Sequence, residues 1–66
     1  MHITVNGQVE ELGDISTVEQ LIQRHRLQPV RVAVEVNERL VPRRVFSATE
    51  LRGGDRVEIV TLVGGG

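Results

Sequence analysis

A single helical segment is the sequence feature that most restricts how this chain can fold. Apolar residues recur at helical spacing at Val18, Leu21 and Ile22, and His25 continues the same stripe. In most other segments apolar residues alternate with polar ones, as they do in strands that bury one face. Because one helix on one face of a mixed sheet buries both apolar surfaces, the pattern predicts a single α+β domain.

The N-terminal segment has the pattern of a β-hairpin. Ile3 and Val5 alternate with polar neighbours, and Asn6-Gly7 follows them directly. This dipeptide is typical of a two-residue type I′ turn, so the sequence predicts a hairpin over residues 2–12. In this interpretation the returning strand places Val9 on the core face.

Signals for the start and end of a helix flank the apolar stripe. Ser16 and Glu19 have the spacing of a capping box, and Pro29 prevents the helix from continuing. We therefore expect the helix to run from about Thr17 to Arg26.

The second half of the chain alternates like three further strands. They are expected around residues 31–36, at the short Leu40-Val41 and over Arg56–Leu62, with turns at Asn37-Glu38 and Gly53-Gly54-Asp55. Residues 43–50 are expected to be irregular, with Phe46 as an apolar anchor and one turn near Ala48–Leu51. In the last strand the alternation directs Val57, Ile59 and Thr61 to one side, and Glu58, Val60 and Leu62 to the other.

Composition excludes several classes of function. The chain has 66 residues and no cysteine, which leaves out disulfides, thiolate-ligated metals and a thiol nucleophile. Its net charge of −1 argues against binding nucleic acid. There is no apolar run of the roughly 20 residues that a membrane span needs, and no secretory signal precedes the first strand. We therefore expect a cytoplasmic protein that does not bind membranes.

The distinctive chemistry lies in the glycines at the end of the sequence. We expect residues 1–62 to form the domain and residues 63–66 to form a flexible tail. Glycine has no Cβ, so such a tail can pass through a narrow channel and present the Gly66 carboxylate to another protein. Because the chain has no phosphate-binding glycine loop, ATP for activating this carboxylate must be bound by a partner.

Three segments together resemble a known family. They are Ile3-Thr4-Val5-Asn6-Gly7, Val34 to Arg43 (VEVNERLVPR), and Gly53 to Ile59 (GGDRVEI) before the terminal Val63-Gly64-Gly65-Gly66. In combination they resemble, over the whole chain, the sulfur carrier protein of thiamine biosynthesis (the ThiS family) of the ubiquitin-like β-grasp superfamily. Phe46 stands where many relatives have tryptophan, which is a conservative aromatic exchange.

The resemblance implies a carrier that is not itself an enzyme and binds no cofactor. A ubiquitin-activating-like adenylyltransferase would adenylate Gly66, a persulfide donor protein would convert it to a thiocarboxylate, and thiazole synthase would receive the sulfur. Gly64 and Gly65 would serve passage of the tail, and no residue would be catalytic.

Exposed apolar residues before the tail suggest where partners dock. Val60 and Leu62 should point away from the helix, and Val63 continues the strand toward the glycines. These three residues are predicted to form a docking patch.

Other functions remain open at this stage. The chain could carry sulfur in another pathway, as the small subunit of molybdopterin synthase does, although it has only one aromatic residue. It could be a ubiquitin-like modifier, but all eight basic residues are arginine, so lysine-linked chains cannot form. It could also be a non-covalent interaction module in which the tail has no role.

Overall fold

One helix covers one face of a five-stranded sheet. The computed structural model describes residues 1–62. The strands are β1 (His2–Val5), β2 (Gln8–Glu11), β3 (Val32–Val36), β4 (Arg39–Val41) and β5 (Arg56–Thr61), and the helix is α1 (Val18–Arg24). Short 3₁₀ turns lie at Pro29–Arg31 and Arg43–Val45. This is the α+β arrangement that the alternation predicts.

The strand at the centre of the sheet is the last one in the sequence. The order is β2-β1-β5-β3-β4, with β5 parallel to β1 and antiparallel to β3. Both predicted hairpin turns are present, and each has two residues with positive φ: Asn6 and Gly7 in one, Asn37 and Glu38 in the other. Paired positive φ angles are the mark of type I′ turns, whose twist matches that of the strands.

The core lies between the sheet and the helix. Its buried members are Ile3, Val5, Leu12, Val18, Leu21, Ile22, Val32, Val34, Val41, Phe46, Leu51, Val57 and Ile59. The anchoring position of Phe46 is confirmed, since only 2% of its surface is exposed. In residues 1–62 no helix is long and apolar enough to cross a membrane.

The prediction that Val9 faces the core is wrong. The two-residue turn aligns Thr4 with Val9, so both side chains lie on the face opposite Ile3 and Val5. Val9 is 70% exposed, and Leu12, just after the strand, supplies the buried side chain instead.

The helix begins one residue later than the sequence suggests, and the capping residues differ. Thr17 is extended and pairs with Glu50, so it cannot be helical. The capping box therefore uses Thr17 and Gln20 in place of Ser16 and Glu19. A tertiary strand pairing thus moved the cap by one position.

The helix also ends earlier, at Arg24 instead of Arg26. Arg26 has a φ of 60°, its amide donates to Gln23, and the Leu27 amide donates to Ile22. This hydrogen-bond pattern is a Schellman motif, which stops a helix. His25 is therefore outside the buried stripe, contrary to expectation, and its Nε2 lies 2.8 Å from Glu10 Oε2.

The predicted turn near Ala48–Leu51 is misplaced. The 3₁₀ turn precedes it at Arg43–Val45, and the following amides of Phe46 and Ala48 donate to Arg43 and Val45. Residues 49–51 run alongside residues 16–18 instead, because the Val18 amide donates to the Thr49 carbonyl. Thr61 is also exposed, although its side was expected to face the core.

Candidate functional site

Strand β5 is central to the candidate site because it leads directly to residues 63–66. On one side it pairs with β3 along its length, from Val36–Val57 to Val32–Thr61. The ladder continues past the strand end, where the Leu62 amide donates to the Arg31 carbonyl over 2.7 Å. The chain is therefore held in the sheet up to the last residue that the structure describes.

On the other side of β5, Asn6 extends the short pairing with β1. The Asn6 amide donates to the Val57 carbonyl, and its side chain then takes the place of a strand residue. Oδ1 accepts from the Ile59 amide at 2.8 Å, and Nδ2 donates to the Ile59 carbonyl at 3.1 Å. One side chain therefore satisfies the amide and the carbonyl of Ile59, which has no partner residue in β1 because β1 ends at Val5.

The start of β5 is held in a similar way by Asn37. Its Oδ1 accepts from the Arg56 amide at 2.9 Å, and its Nδ2 donates to Asp55 Oδ1 at 2.9 Å. Asp55 in turn accepts from the Arg52 amide and closes the predicted glycine turn before the strand. The two asparagines that form the hairpin turns thus also position the start and the middle of the central strand.

The sheet surface away from the helix presents exposed apolar side chains. Directly opposed residues on neighbouring strands point to the same side of a sheet. We call outer face the surface formed by Ala33, Glu35, Leu40, Arg56, Glu58, Val60 and Leu62. Leu40, Val60 and Leu62 are 67%, 59% and 50% exposed. The expectation that Val60 and Leu62 point away from the helix is confirmed, and their docking role stays a prediction.

Two glutamates lie at the centre of the outer face. Glu35 on β3 is directly opposite Glu58 on β5, and both are exposed. Within residues 1–62 neither forms an ion pair. The four carboxylate contacts with basic groups that are present involve Glu10 and Glu11, and two of these are with histidines, which are charged only when protonated. Sequence reasoning missed this acidic pair and Leu40, because the alternation of each strand was visible but their pairing register was not.

The described residues do not bring together the side chains of a metal centre. No cluster of three or more histidine, cysteine, aspartate or glutamate side chains within residues 1–62 could hold a metal ion. What the arrangement offers is a central strand that is hydrogen-bonded on both sides and, beside it, a sheet face with exposed apolar side chains. The predicted residues Val63, Gly64, Gly65 and Gly66 lie outside the described residues.

Comparison with known structures identifies the same architecture elsewhere. A crystal structure of the thiamine biosynthesis protein ThiS from Geobacter metallireducens superposes with a TM-score of 0.82 at 33% identity, covering all of both chains. An NMR structure of a thiamine biosynthesis protein from the same organism gives 0.79 over all of this chain and 88% of that one. The predicted β-grasp fold is confirmed by these neighbours.

Sequence comparison finds relatives of two sizes. The uncharacterized protein ycf40 of Porphyra purpurea is 34% identical over 64 residues, which is 97% of this chain and 90% of that protein. Thiazole synthases of Paramagnetospirillum magneticum and Magnetococcus marinus are 33% and 35% identical over all of this chain, which spans only 20% of their length.

A family model extends the match to the glycines. The model of the ThiS family matches residues 3–66, so it includes both the described domain and the tail that follows it. With the β-grasp neighbours named as ThiS proteins, this match covers nearly the whole chain. The chain therefore belongs to the ThiS family.

Proposed function

We propose that this protein carries sulfur as a thiocarboxylate on Gly66 and delivers it for thiazole formation in thiamine biosynthesis. A sulfur carrier role is what membership of the ThiS family supports. The observation that carries the proposal is that the family match runs through residue 66, directly beyond a central strand held in the sheet to Leu62.

The chemistry requires partners at each step. The Gly66 carboxylate attacks the α-phosphate of ATP on an adenylyltransferase, which gives an acyl adenylate and releases pyrophosphate. A persulfide on a donor protein then attacks the acyl carbon, and AMP leaves. A thiol breaks the resulting acyl disulfide and releases the thiocarboxylate, while the donor retains a disulfide. The carrier supplies only the carboxyl group, and ATP is bound by its partner.

The two larger relatives support thiazole synthase as the acceptor. In proteins named thiazole synthase, a segment similar to this whole chain makes up 20% of the length. A carrier and the enzyme that consumes its sulfur gain effective concentration when they are joined in one chain. We infer that the chain described here serves the same kind of enzyme.

Intact-protein mass spectrometry tests the proposal. The protein is incubated with the adenylyltransferase of its own organism, ATP and a persulfide donor, and we expect the mass change of one oxygen replaced by sulfur, mapped to the C-terminal peptide. Deletion of Gly66 should abolish this change and leave the thermal unfolding transition in place. The deletion variant still ends in a carboxylate, that of Gly65, so it tests the length of the tail, whereas Gly66→Ala keeps the length and tests the need for a last residue without a side chain.

Two results would overturn the proposal. Sulfur transfer by the variant that lacks Gly66 would show that the reaction does not require the carboxylate of Gly66, since that variant ends at Gly65. Isopeptide attachment of Gly66 to other proteins, without any thiocarboxylate, would identify a protein modifier instead of a carrier.

A further inference from the structure

The two edges of the sheet are protected differently. Edge strands offer unpaired backbone groups to other chains, so folded proteins usually block them. On the edge strand β2, the Glu11 carbonyl accepts from Arg24 Nη1 at 2.9 Å, and the charged side chains of Glu10 and Glu11 flank this contact. On β4, at the opposite edge, no group of residues 1–62 outside the β3–β4 ladder hydrogen-bonds to Leu40, whose side chain is 67% exposed.

The hydrogen bonds of the sheet show which way the backbone of Leu40 points. In antiparallel strands, hydrogen-bonded and non-hydrogen-bonded residue pairs alternate. The Asn37 amide donates to the Arg56 carbonyl, so Glu35, two residues earlier, also directs its backbone groups to β5. Glu35 therefore forms no backbone hydrogen bond with Leu40, which lies opposite it on β4. The N–H and the C=O of Leu40 both point away from β3, to the free edge of the sheet.

Charged residues of opposite sign flank this free edge. Glu38 precedes β4 and Arg43 follows it, and both are exposed and without an ion pair in residues 1–62. Glu38 has a φ of 69°, at a turn position where glycine is strongly preferred. The chain thus keeps a long charged side chain where the backbone conformation disfavours one, which is a feature of positions that have a function.

We propose that two copies of this chain pair through the free edges of β4, antiparallel and centred on Leu40. A twofold symmetric contact has to be complementary to itself. In this alignment two hydrogen bonds join the Leu40 backbones, and Glu38 lies opposite Pro42 of the second copy, next to its Arg43. Symmetry forms this opposite-charge contact twice, so the charges select a second copy as the occupant. The two five-stranded sheets become one continuous sheet.

Proline limits the pairing to this register. A shift by two residues would place Leu40 opposite Pro42, which has no N–H to donate and whose carbonyl already accepts from the Val45 amide at 3.0 Å. A shift by one would place Leu40 opposite Arg39 or Val41, whose backbone groups point to β3. Only pairing on Leu40 itself brings an outward donor to an outward acceptor.

The contact is separate from the chemistry that is proposed for Gly66. β5 lies two strands from β4, which is about 10 Å at the usual strand spacing. Leu62, the residue that precedes the tail, is therefore left uncovered. Pairing goes beyond the proposed function and does not depend on it.

Sedimentation of the full chain over a range of concentrations tests the proposal. We expect a monomer–dimer equilibrium with a dissociation constant below about 1 mM. Leu40→Pro removes the outward N–H and leaves the β3–β4 ladder intact, since that N–H is not part of it. This variant should weaken the dimer about tenfold or more, because main-chain hydrogen bonds supply the affinity of such pairing.

Val9→Pro is the matched control on the other edge. Because the Leu12 amide donates to the Met1 carbonyl, alternation directs the backbone of Val9 to the outer edge of β2, and its side chain is 70% exposed. The same substitution therefore removes an outward N–H from the blocked edge. It should leave the dissociation constant of the dimer unchanged.

Charge reversal tests the contact between Glu38 and Arg43 of the second copy. Glu38→Arg and Arg43→Glu should each weaken the dimer, because each places like charges side by side. The double variant Glu38→Arg, Arg43→Glu restores opposite charges and should recover most of the lost affinity. Glu38→Gly relieves the turn, so it should raise the melting temperature while it weakens the dimer.

Three outcomes would overturn the proposal. One is a wild type that sediments as a monomer up to about 1 mM. Another is dimerisation of folded Leu40→Pro at the wild-type level, or an equal loss with Val9→Pro. The third is absence of rescue in the double charge variant, which decides the question even if thermal unfolding shows that Leu40→Pro does not fold. Sulfur transfer is measured separately by mass spectrometry, so none of these results bears on the proposed function.

Discussion

Two pairs of glutamates in this small sheet have opposite surroundings. Glu10 and Glu11 on the edge strand β2 engage all four of their carboxylate oxygens at 2.7–2.8 Å, with Arg24, His25, His2 and the Met1 ammonium group. Glu35 and Glu58 face each other on the outer face, and neither forms an ion pair within residues 1–62. The first pair is held by contacts within the domain, whereas the second is exposed to solvent.

The contacts of Glu10 and Glu11 protect the edge strand β2 more than they stabilise the fold. Exposed ion pairs contribute little to stability. Arg24, however, also donates through Nη1 to the carbonyls of Glu11 and Leu12, at 2.9 and 3.3 Å, where β2 ends. Edge strands offer unpaired backbone groups to other chains, and charged side chains limit such pairing. Arg24 at the helix end therefore binds the backbone where β2 ends, while the outer face stays exposed.

Asn6 joins the turn between β1 and β2 to the central strand β5, and its loss should have the largest effect on stability. Asn6→Gly keeps the positive φ of the turn but leaves the partly buried amide and carbonyl of Ile59 without their partner, so we expect a loss of about 2 kcal/mol. Asn37→Gly is the control, because the groups bound by Asn37 are exposed and water can replace it. Urea denaturation measures both, and equal losses would show that the contact with Ile59 has no special weight.

A valine-to-aspartate substitution on β5 and the same substitution on β2 should then separate a docking role from mere exposure to solvent. Val60→Asp places a carboxylate on the outer face beside Glu58. Val9→Asp makes this change on the same side of the sheet but on the edge strand β2, where the side chain is 70% exposed against 59% for Val60. We expect Val60→Asp, and similarly Leu62→Asp, to weaken adenylyltransferase binding by about tenfold, which is about 1.4 kcal/mol. Val9→Asp should bind normally, and unchanged affinity for Val60→Asp would remove the docking patch.

The smallest effects should differ in sign between the two glutamate pairs. Glu58→Gln removes a repulsion and should raise the melting temperature slightly, whereas Glu11→Gln should lower it. A hydrogen bond from the Met1 ammonium group holds the pKa of Glu11 below its ordinary value of 4.5. The contribution of the Glu11 carboxylate to the stability of the folded protein is therefore fully present above pH 4.5. It is lost as the pH falls through the lowered pKa.

Melting curves at neutral and acid pH measure this difference. The difference in melting temperature between the wild type and Glu11→Gln should disappear at acid pH. A lower melting temperature for Glu58→Gln at neutral pH would contradict the view that the outer pair is strained.

Local signals in the sequence predicted most of the fold. The Asn6-Gly7 turn, the alternation of β3 and β5, and the existence of one helix follow from backbone preferences and periodicity that operate within a few residues. The outward direction of Val60 and Leu62 follows from the same short-range alternation. This part of the candidate site is therefore a property of the local sequence.

Contacts between distant segments decided the rest. Pairing of residues 16–18 with 49–51 moved the helix start to Val18, and a two-residue turn put Val9 on the outer side. The meeting of Glu35 with Glu58 depends on the register of β3 against β5, which the alternation within either strand does not specify. The sequence by itself thus determined the elements and the glycine-rich end of the chain. Only the tertiary structure decided which side chains share a surface, because register and packing depend on residues that are far apart along the chain.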